Sequence, residues 1–142
     1  MNNSLFKIIS IVSVISGGIA GIVALVPFLS FLALCIVMIF TAPFIIVYFK
    51  NLNLITDIET DKGILYGGIA GFTGFIGFSA VFFPLAFIID LIFKTQSFLW
   101  VSVIFKNFLF LLGTVIFSAL LCAIINMFTG FLTAYVYQAI KK

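Results

Sequence analysis

Charged side chains are scarce in this sequence. They make up 8% of its 142 residues, whereas a soluble domain carries about a quarter. There is no histidine and no arginine, and the charges are seven lysines, three aspartates and one glutamate. This composition excludes a water-soluble globule, a disordered chain and a nucleic-acid-binding protein.

Residues that carry catalysis or bind metals are equally scarce. The two cysteines, Cys35 and Cys122, fall inside long apolar stretches, far from any CxxC spacing, and are expected to be small packing residues. No serine or cysteine nucleophile has a base available, and no glycine-rich phosphate loop follows a strand. We therefore expect no enzymatic activity, no metal site and no cofactor.

What the sequence does contain is long apolar stretches. It is 65% hydrophobic, with a mean hydropathy of +1.43. The charges leave uncharged stretches of 42, 27 and 34 residues, at 8–49, 63–89 and 107–140. One crossing takes about 20 apolar residues, because a helix rises about 1.5 Å per residue through about 30 Å of hydrocarbon. The first stretch holds two crossings and the others one each, which predicts an all-α integral membrane protein with four transmembrane helices.

The four spans form two helical hairpins in a single transmembrane domain, 1–142. We place them at about 5–26, 28–49, 63–93 and 107–137. Apolar sequence continues without a break through the first two spans, so we expect the first to be retained rather than cleaved as a signal peptide.

Two features of these spans need a physical explanation. Pro43 lies inside the second span and should kink it, which is tolerated when a neighbour bonds to the carbonyl that the proline leaves free. The segment at about 95–105 is too short to cross the membrane. Lysines at both ends and Trp100 inside it favour a position in the headgroup region before the fourth span.

Small residues follow helical spacing in the first, third and fourth spans. Because lipid tails compete equally for apolar surface, membrane helices associate where small residues allow close approach. Spacings of three and four residues put such residues on one helix face. The sequence thus predicts packing through Gly, Ala and Ser seams that include Ser13, Gly17, Gly21, Gly63, Gly67, Gly71, Gly74, Gly77 and Gly130.

The third span is the richest in glycine, with six of the eleven glycines between Gly63 and Gly77. They line two adjacent faces, so we predict that this span lies at the centre of the bundle and contacts more than one neighbour. The alternative is a glycine zipper that lines a self-assembled pore. The segment 67–71 also repeats the sequence of 17–21, GGIAG, which reflects either a duplicated hairpin or chance similarity in apolar sequence.

Three polar side chains lie in or near the spans. Asn126 falls on the seam of the fourth span, where we expect a hydrogen bond between helices or contact with a solute. Asp90 precedes Lys94 by one turn, an order that favours a local ion pair; coupling to a proton or cation is the alternative. The deep membrane holds no ionisable group, which argues against a proton pump or a carrier of charged substrates.

The leading functional hypothesis is a non-enzymatic accessory or assembly subunit that acts through helix–helix contacts. The alternative is a small oligomeric channel or transporter for a neutral or apolar solute. Expected partners are membrane lipids and another membrane protein or a second copy of the chain. Five lysines on one side against two on the other predict cytoplasmic termini. Lysine without arginine suggests an AT-rich genome and a bacterial inner membrane.

Overall fold

The described protein consists of helices joined by short connections. A computed structural model describes residues 3–55, 59–94 and 98–140. Lys141 and Lys142, and residues 95–97 of the predicted interfacial segment, lie outside the described residues. Four helices are long and apolar enough to cross a membrane: α1 (Asn3–Val23), α2 (Pro27–Asn51), α3 (Thr60–Phe93) and α5 (Phe108–Ile140). This confirms the all-α membrane fold with four spans.

The first hairpin turns within three residues. α1 ends at Val23, about three residues before the predicted end, and the N–H of Val26 donates to the carbonyl of Val23 at 3.2 Å. Val26 is extended, with φ −80° and ψ 114°, and Pro27 is the first residue of α2. The helix ends early because proline forces the residue before it out of the helical region, while proline itself fits the first helical position.

α2 is not a uniform α-helix. It consists of an α-helix at Pro27–Cys35, a π-helical segment at Ile36–Phe40 and a second α-helix at Thr41–Asn51. Pro43 lies in the first turn of the second part. A proline ring collides with the carbonyl four residues earlier in an α-helix, and the wider π turn relieves that collision.

α3 lies between α1 and α5. Gly17 and Gly21 of α1 meet Gly74 and Phe78 of α3 in the same order, so these two helices run parallel. Contacts between α3 and α5 run in opposite order, from Gly63 against Ala134 to Gly71 against Cys122, as antiparallel helices require. The helix of 34 residues is about 50 Å long, which exceeds the hydrocarbon thickness of about 30 Å.

The short helix α4 (Leu99–Lys106) packs against one end of this bundle. Val101 is fully buried, and the ring centroid of Phe98, just before the helix, lies 6.0 Å from that of Phe82 on α3. Val103 is exposed on the other side, and the half-exposed Trp100 packs its ring on Phe82 of α3. A helix with one apolar face on the bundle and another facing outward suits the headgroup region predicted for this segment.

Candidate functional site at the junction of α2, α3 and α5

The side-chain amide of Asn126 joins α5 to the backbone of α2. Asn126 is fully buried. Its Nδ2 donates to the carbonyls of Met38 at 2.8 Å and Val37 at 3.2 Å on α2, and of Cys122 at 3.0 Å on its own helix. Its Oδ1 accepts a hydrogen bond of 2.8 Å from the backbone N–H of Ala42. Both ends of the amide are therefore bonded to backbone groups of another helix.

The backbone of α2 offers these groups because its hydrogen-bond ladder is interrupted. In a π-helix, a carbonyl accepts from the N–H of the fifth residue along the chain. For Met38 that residue is Pro43, which has no N–H. For Val37 it is Ala42, whose N–H bonds to Asn126 instead. Asn126 thus provides partners that the interrupted ladder of α2 lacks, in a region where water is not available to do so.

The carbonyl of Val37 is a second meeting point at this junction. It accepts three hydrogen bonds: from the hydroxyl of Thr41 at 2.8 Å, from Nδ2 of Asn126 at 3.2 Å and from the Sγ of Cys122 at 3.5 Å. Thr41 and Cys122 are both buried. From the sequence, Cys122 is expected to be a small packing residue. In the structure its thiol also donates a weak hydrogen bond to this carbonyl.

Glycines of α3 leave the space that Asn126 and its backbone occupy. A Cβ atom at Gly67 would lie 2.1 Å from the backbone oxygen of Asn126, and one at Gly71 would lie 2.6 Å from its Cβ. At the end of the same seam, a Cβ at Gly63 would lie 2.7 Å from the carbonyl oxygen of Gly130, and one at Gly130 would lie 2.4 Å from that of Gly63. The backbones of α3 and α5 are therefore in direct contact.

The contact between α1 and α3 is equally close. A Cβ at Gly17 would lie 1.9 Å from the carbonyl oxygen of Gly74, and one at Gly77 would lie 2.3 Å from that of Val14. A Cβ at Gly21 would lie 2.8 Å from the carbonyl oxygen of Phe78. Side chains other than hydrogen would force these two helices apart.

Ser13 lies in the same α1–α3 contact. It is fully buried, and its hydroxyl donates to the carbonyl of Ile9 at 2.7 Å within α1. Its carbonyl oxygen would be 3.6 Å from a Cβ at Gly74, whose nearest neighbour is the Thr41 methyl group at 3.2 Å. Gly74 therefore lies where α1, α2 and α3 meet.

The glycines of α3 divide among three neighbouring helices. Gly63, Gly67 and Gly71 face α5, whereas Gly77 faces α1 and Gly74 faces α1 and α2. The two GGIAG copies also differ in surroundings. Glycines of the first copy contact α3, and glycines of the second contact α5. A duplicated hairpin would set both copies against the following helix, so these contacts do not favour duplication.

Asp90 and Lys94 do not form the predicted ion pair. Among the described residues, the partner of the Asp90 carboxylate is the hydroxyl of Ser102 on α4, which donates to Oδ2. Lys94 caps the end of α3, and its N–H still donates to the carbonyl of Asp90 at 2.9 Å, but its left-handed φ of 49° gives its Cα–Cβ bond a direction different from that of a helical residue. No sequence pattern marks Ser102 as the partner of Asp90, because only the packing of α4 on α3 brings the two residues together.

A lateral cavity of about 340 Å³ lies near α4. One wall consists of aromatic rings, with the centroids of Phe78 and Phe82 at 5.2 Å and those of Phe82 and Trp100 at 6.1 Å. The hydroxyl-bearing residues Ser30, Thr114 and Ser118 also line it. The cavity is mostly apolar and has room for a small apolar molecule.

Comparisons with known proteins identify no related family, protein or structure. No protein-family model matches the sequence, and neither a curated protein nor a solved structure is significantly similar to it.

Proposed function

We propose that this protein is an accessory or assembly subunit that acts through helix–helix contacts within the membrane, without enzymatic activity. The observation that carries the proposal is the backbone contact on both sides of α3, with Gly17 against Gly74 and Gly67 against Asn126. These contacts occupy the glycines within the chain, which favours packing over a pore lined by α3. The apolar outer surface is then the part that a partner can reach.

Three of the four buried polar side chains among the described residues also favour a structural role. The hydroxyls of Ser13 and Thr41 and the amide of Asn126 all bond to backbone carbonyls. Their hydrogen-bonding capacity is used within the fold, so these three residues offer little to a substrate. The proposed partners are membrane lipids and another membrane protein, without nucleic acid or cofactor.

The outer face of α5 is the contact surface we propose for that partner. A Cβ atom at Gly113 would meet nothing within 4 Å. Leu109, Phe110 and Phe117, one turn away along the helix, are 79%, 59% and 64% exposed. A glycine between large side chains forms a notch that can receive a ridge of a neighbouring helix.

Cross-linking tests this proposal directly. A photoreactive amino acid replaces Phe117 in native membranes, and the products are identified by mass spectrometry after gentle extraction. We expect one membrane protein in stoichiometric amount. The matched control is Ile15, which is 58% exposed on α1, and it should give only diffuse products. Gly113→Leu should remove the specific product without loss of folding, because the added side chain enters open space.

The other possible outcomes of the cross-linking experiment also distinguish the two candidate functions. Diffuse products from both positions would contradict the accessory role. A product with a second copy of the chain, and no other protein, would favour the second candidate function, a small oligomeric channel or transporter for a neutral or apolar solute. The lateral cavity of about 340 Å³ supports that candidate.

Liposome flux separates the two candidates. An accessory subunit should leave the permeation of glycerol, a neutral solute, at the level of empty liposomes. A conduit should accelerate it, and Ser118→Phe, which places a ring in the cavity, should then abolish the acceleration. Glycerol flux in the wild type that Ser118→Phe leaves unchanged would contradict a route through this cavity.

We further propose a location in the cell membrane, specifically a bacterial inner membrane, with both termini in the cytoplasm. The support for the orientation is the distribution of lysine, five on one side of the spans and two on the other. The support for a bacterial inner membrane is the use of lysine without arginine, which suggests an AT-rich genome. A reporter fused after Lys142 should be cytoplasmic. An external signal from that fusion would contradict this orientation.

A further inference from the structure

The lateral cavity of about 340 Å³ extends along the bundle. On α3 its lining runs from Phe75 to Phe83, and these positions are separated by about 12 Å along the helix axis. α3 is long and apolar enough to cross the membrane, so this dimension of the cavity follows the direction of the lipid chains. Such a space can take part of an acyl chain without drawing that chain out of the hydrocarbon.

The lining of this cavity is open to lipid and offers mainly apolar surface. Two of its side chains, Phe31 and Trp100, are 72% and 50% exposed on the outside of the bundle. The hydroxyls of Ser30 and Thr114 donate to carbonyls of their own helices, at 2.7 Å and 2.8 Å. Because those donors are already used, the cavity suits a hydrocarbon chain better than a polar solute.

One end of the cavity lies where α1 turns into α2. Ala24, the residue after α1, lines the cavity together with Trp100 of α4. Two lysines belong to this end of the bundle: Lys94 follows α3, and Lys106 is the last residue of α4. Both are exposed, and neither forms a salt bridge with a described residue.

The charge at this end of the bundle is positive. Asp90 is the only acidic residue between Lys62 and Lys141, and its carboxylate accepts a hydrogen bond from Ser102. Two lysines against one aspartate leave a positive excess where the cavity meets the headgroup region. Positive charge near the membrane surface attracts anionic headgroups.

We propose that this cavity, together with Lys94 and Lys106, binds one anionic phospholipid. One acyl chain occupies the cavity, and the phosphate lies at the α4 end, where the two lysines supply positive charge. Trp100 then lies between chain and headgroup, at the depth where tryptophan is enriched in membrane proteins. The site is formed within a single chain, so it does not depend on the accessory role proposed above.

Fluorescence quenching tests the site, because Trp100 is the single tryptophan of the chain. The purified full chain is placed in phosphatidylcholine nanodiscs that contain a small fraction of phosphatidylglycerol brominated in one acyl chain. The matched probe is phosphatidylcholine with the same brominated chain. We expect the anionic probe to reach half-maximal quenching at about fivefold lower mole fraction, the effect of about one lysine at the membrane surface.

Two variants assign this preference to the cavity and to the lysines. Ser118→Phe places a ring in the cavity, and the double variant Lys94→Gln with Lys106→Gln removes the positive charge, so each should bring the anionic probe to the level of the neutral one. The controls are Leu120→Phe, on the exposed face of the same helix, and Lys7→Gln, at the opposite end of the bundle. Both controls should keep the preference. If Ser118→Phe does not fold, the lysine variant still decides the question.

Three results would overturn the proposal. Equal quenching by the two probes in the wild type would mean that Trp100 meets only bulk lipid. A preference that survives in folded Ser118→Phe would place the anionic lipid on the surface, outside the cavity. A preference that survives the loss of both lysines would show that their charge does not select the headgroup.

Discussion

The side-chain oxygen of Asn126 accepts a hydrogen bond from the backbone N–H of Ala42, 84 residues earlier in the chain. The same amide donates to the carbonyl of Met38, so it bonds to α2 on both sides of the turn before Pro43. Its partners are backbone groups, and they are available because the ladder of α2 is interrupted. Positions 126 and 43 are therefore expected to be coupled energetically, although they lie on different helices.

Asn126→Leu tests the value of this contact. The change leaves the N–H of Ala42 and the carbonyl of Met38 without partners, and each unsatisfied buried group costs about 1–3 kcal/mol. We expect a loss of about 2–4 kcal/mol in the free energy of unfolding, measured by steric trapping in bicelles. Thr114→Ala is the control, because its hydroxyl bonds only to a carbonyl of its own helix.

Pro43→Ala in the same background tests the coupling. An N–H at position 43 can bond to a carbonyl of α2, so Asn126→Leu should cost at least about 1 kcal/mol less when Pro43 has been replaced. The measurement is a double-mutant cycle of unfolding free energies. Additive effects would mean that Asn126 does not compensate for the proline.

Gly67→Ala and Gly113→Ala should have opposite effects on stability. A methyl group at Gly67 meets the backbone of α5 at 2.1 Å, whereas one at Gly113 meets nothing. Forced overpacking costs about 1–3 kcal/mol, and alanine in an open helical position gains about 0.5–1 kcal/mol over glycine. Unfolding free energies of the two variants decide this, and equal values would contradict the close contact of α3 with α5.

Gly17→Ala and Gly18→Ala compare two adjacent glycines of α1. A Cβ at Gly17 would lie 1.9 Å from the carbonyl of Gly74, but one at Gly18 would come no closer than 3.4 Å, to a side-chain atom of Val81. Only the first change should separate α1 from α3. Spin labels on keto amino acids at the exposed positions Phe6 and Leu65 report the distance. A longer or broader distribution for Gly18→Ala alone would refute this assignment.

Ser102→Ala and Lys94→Ala distinguish the two possible partners of Asp90. The structure gives Asp90 a hydrogen bond from Ser102 and no ion pair with Lys94. Hydrogen bonds to charged groups contribute about 1.5–3 kcal/mol, so Ser102→Ala should accelerate amide exchange in α4 about tenfold or more. Lys94→Ala should leave this exchange unchanged. The reverse result would restore the ion pair expected from the sequence.

The number of spans follows from the sequence because it depends only on apolar length. Uncharged stretches of 42, 27 and 34 residues allow one division into crossings of about 20 residues. The close packing of glycines is also suggested by their spacing. The division of the α3 glycines among α1, α2 and α5 cannot be predicted from the sequence, because spacing assigns residues to a face without identifying the neighbour on that face.

The features that the sequence does not predict depend on contacts between segments far apart in the chain. Asn126 is recognisable as a polar residue on a small-residue seam, but its partners are backbone groups made available by the π-helical segment of α2. No local pattern distinguishes that segment from an α-helix. Likewise, Ser102 reaches Asp90 only after α4 folds back on α3. The i, i+4 rule that favoured Lys94 assumes helical φ at both residues, whereas Lys94 is the left-handed cap that follows α3.

The π-helical segment Ile36–Phe40 also affects how α2 responds to changes in chain length. In an ordinary α-helix, deletion of one residue rotates everything after it by about 100° and turns buried positions toward lipid. A π segment holds one residue more per turn than its neighbours need. Removing a residue there converts the wide turn into an α-helical turn. Ala33, before the turn, and Ile45, after it, then both stay directed toward the bundle interior. α2 therefore has one place where a shorter chain keeps the same buried face.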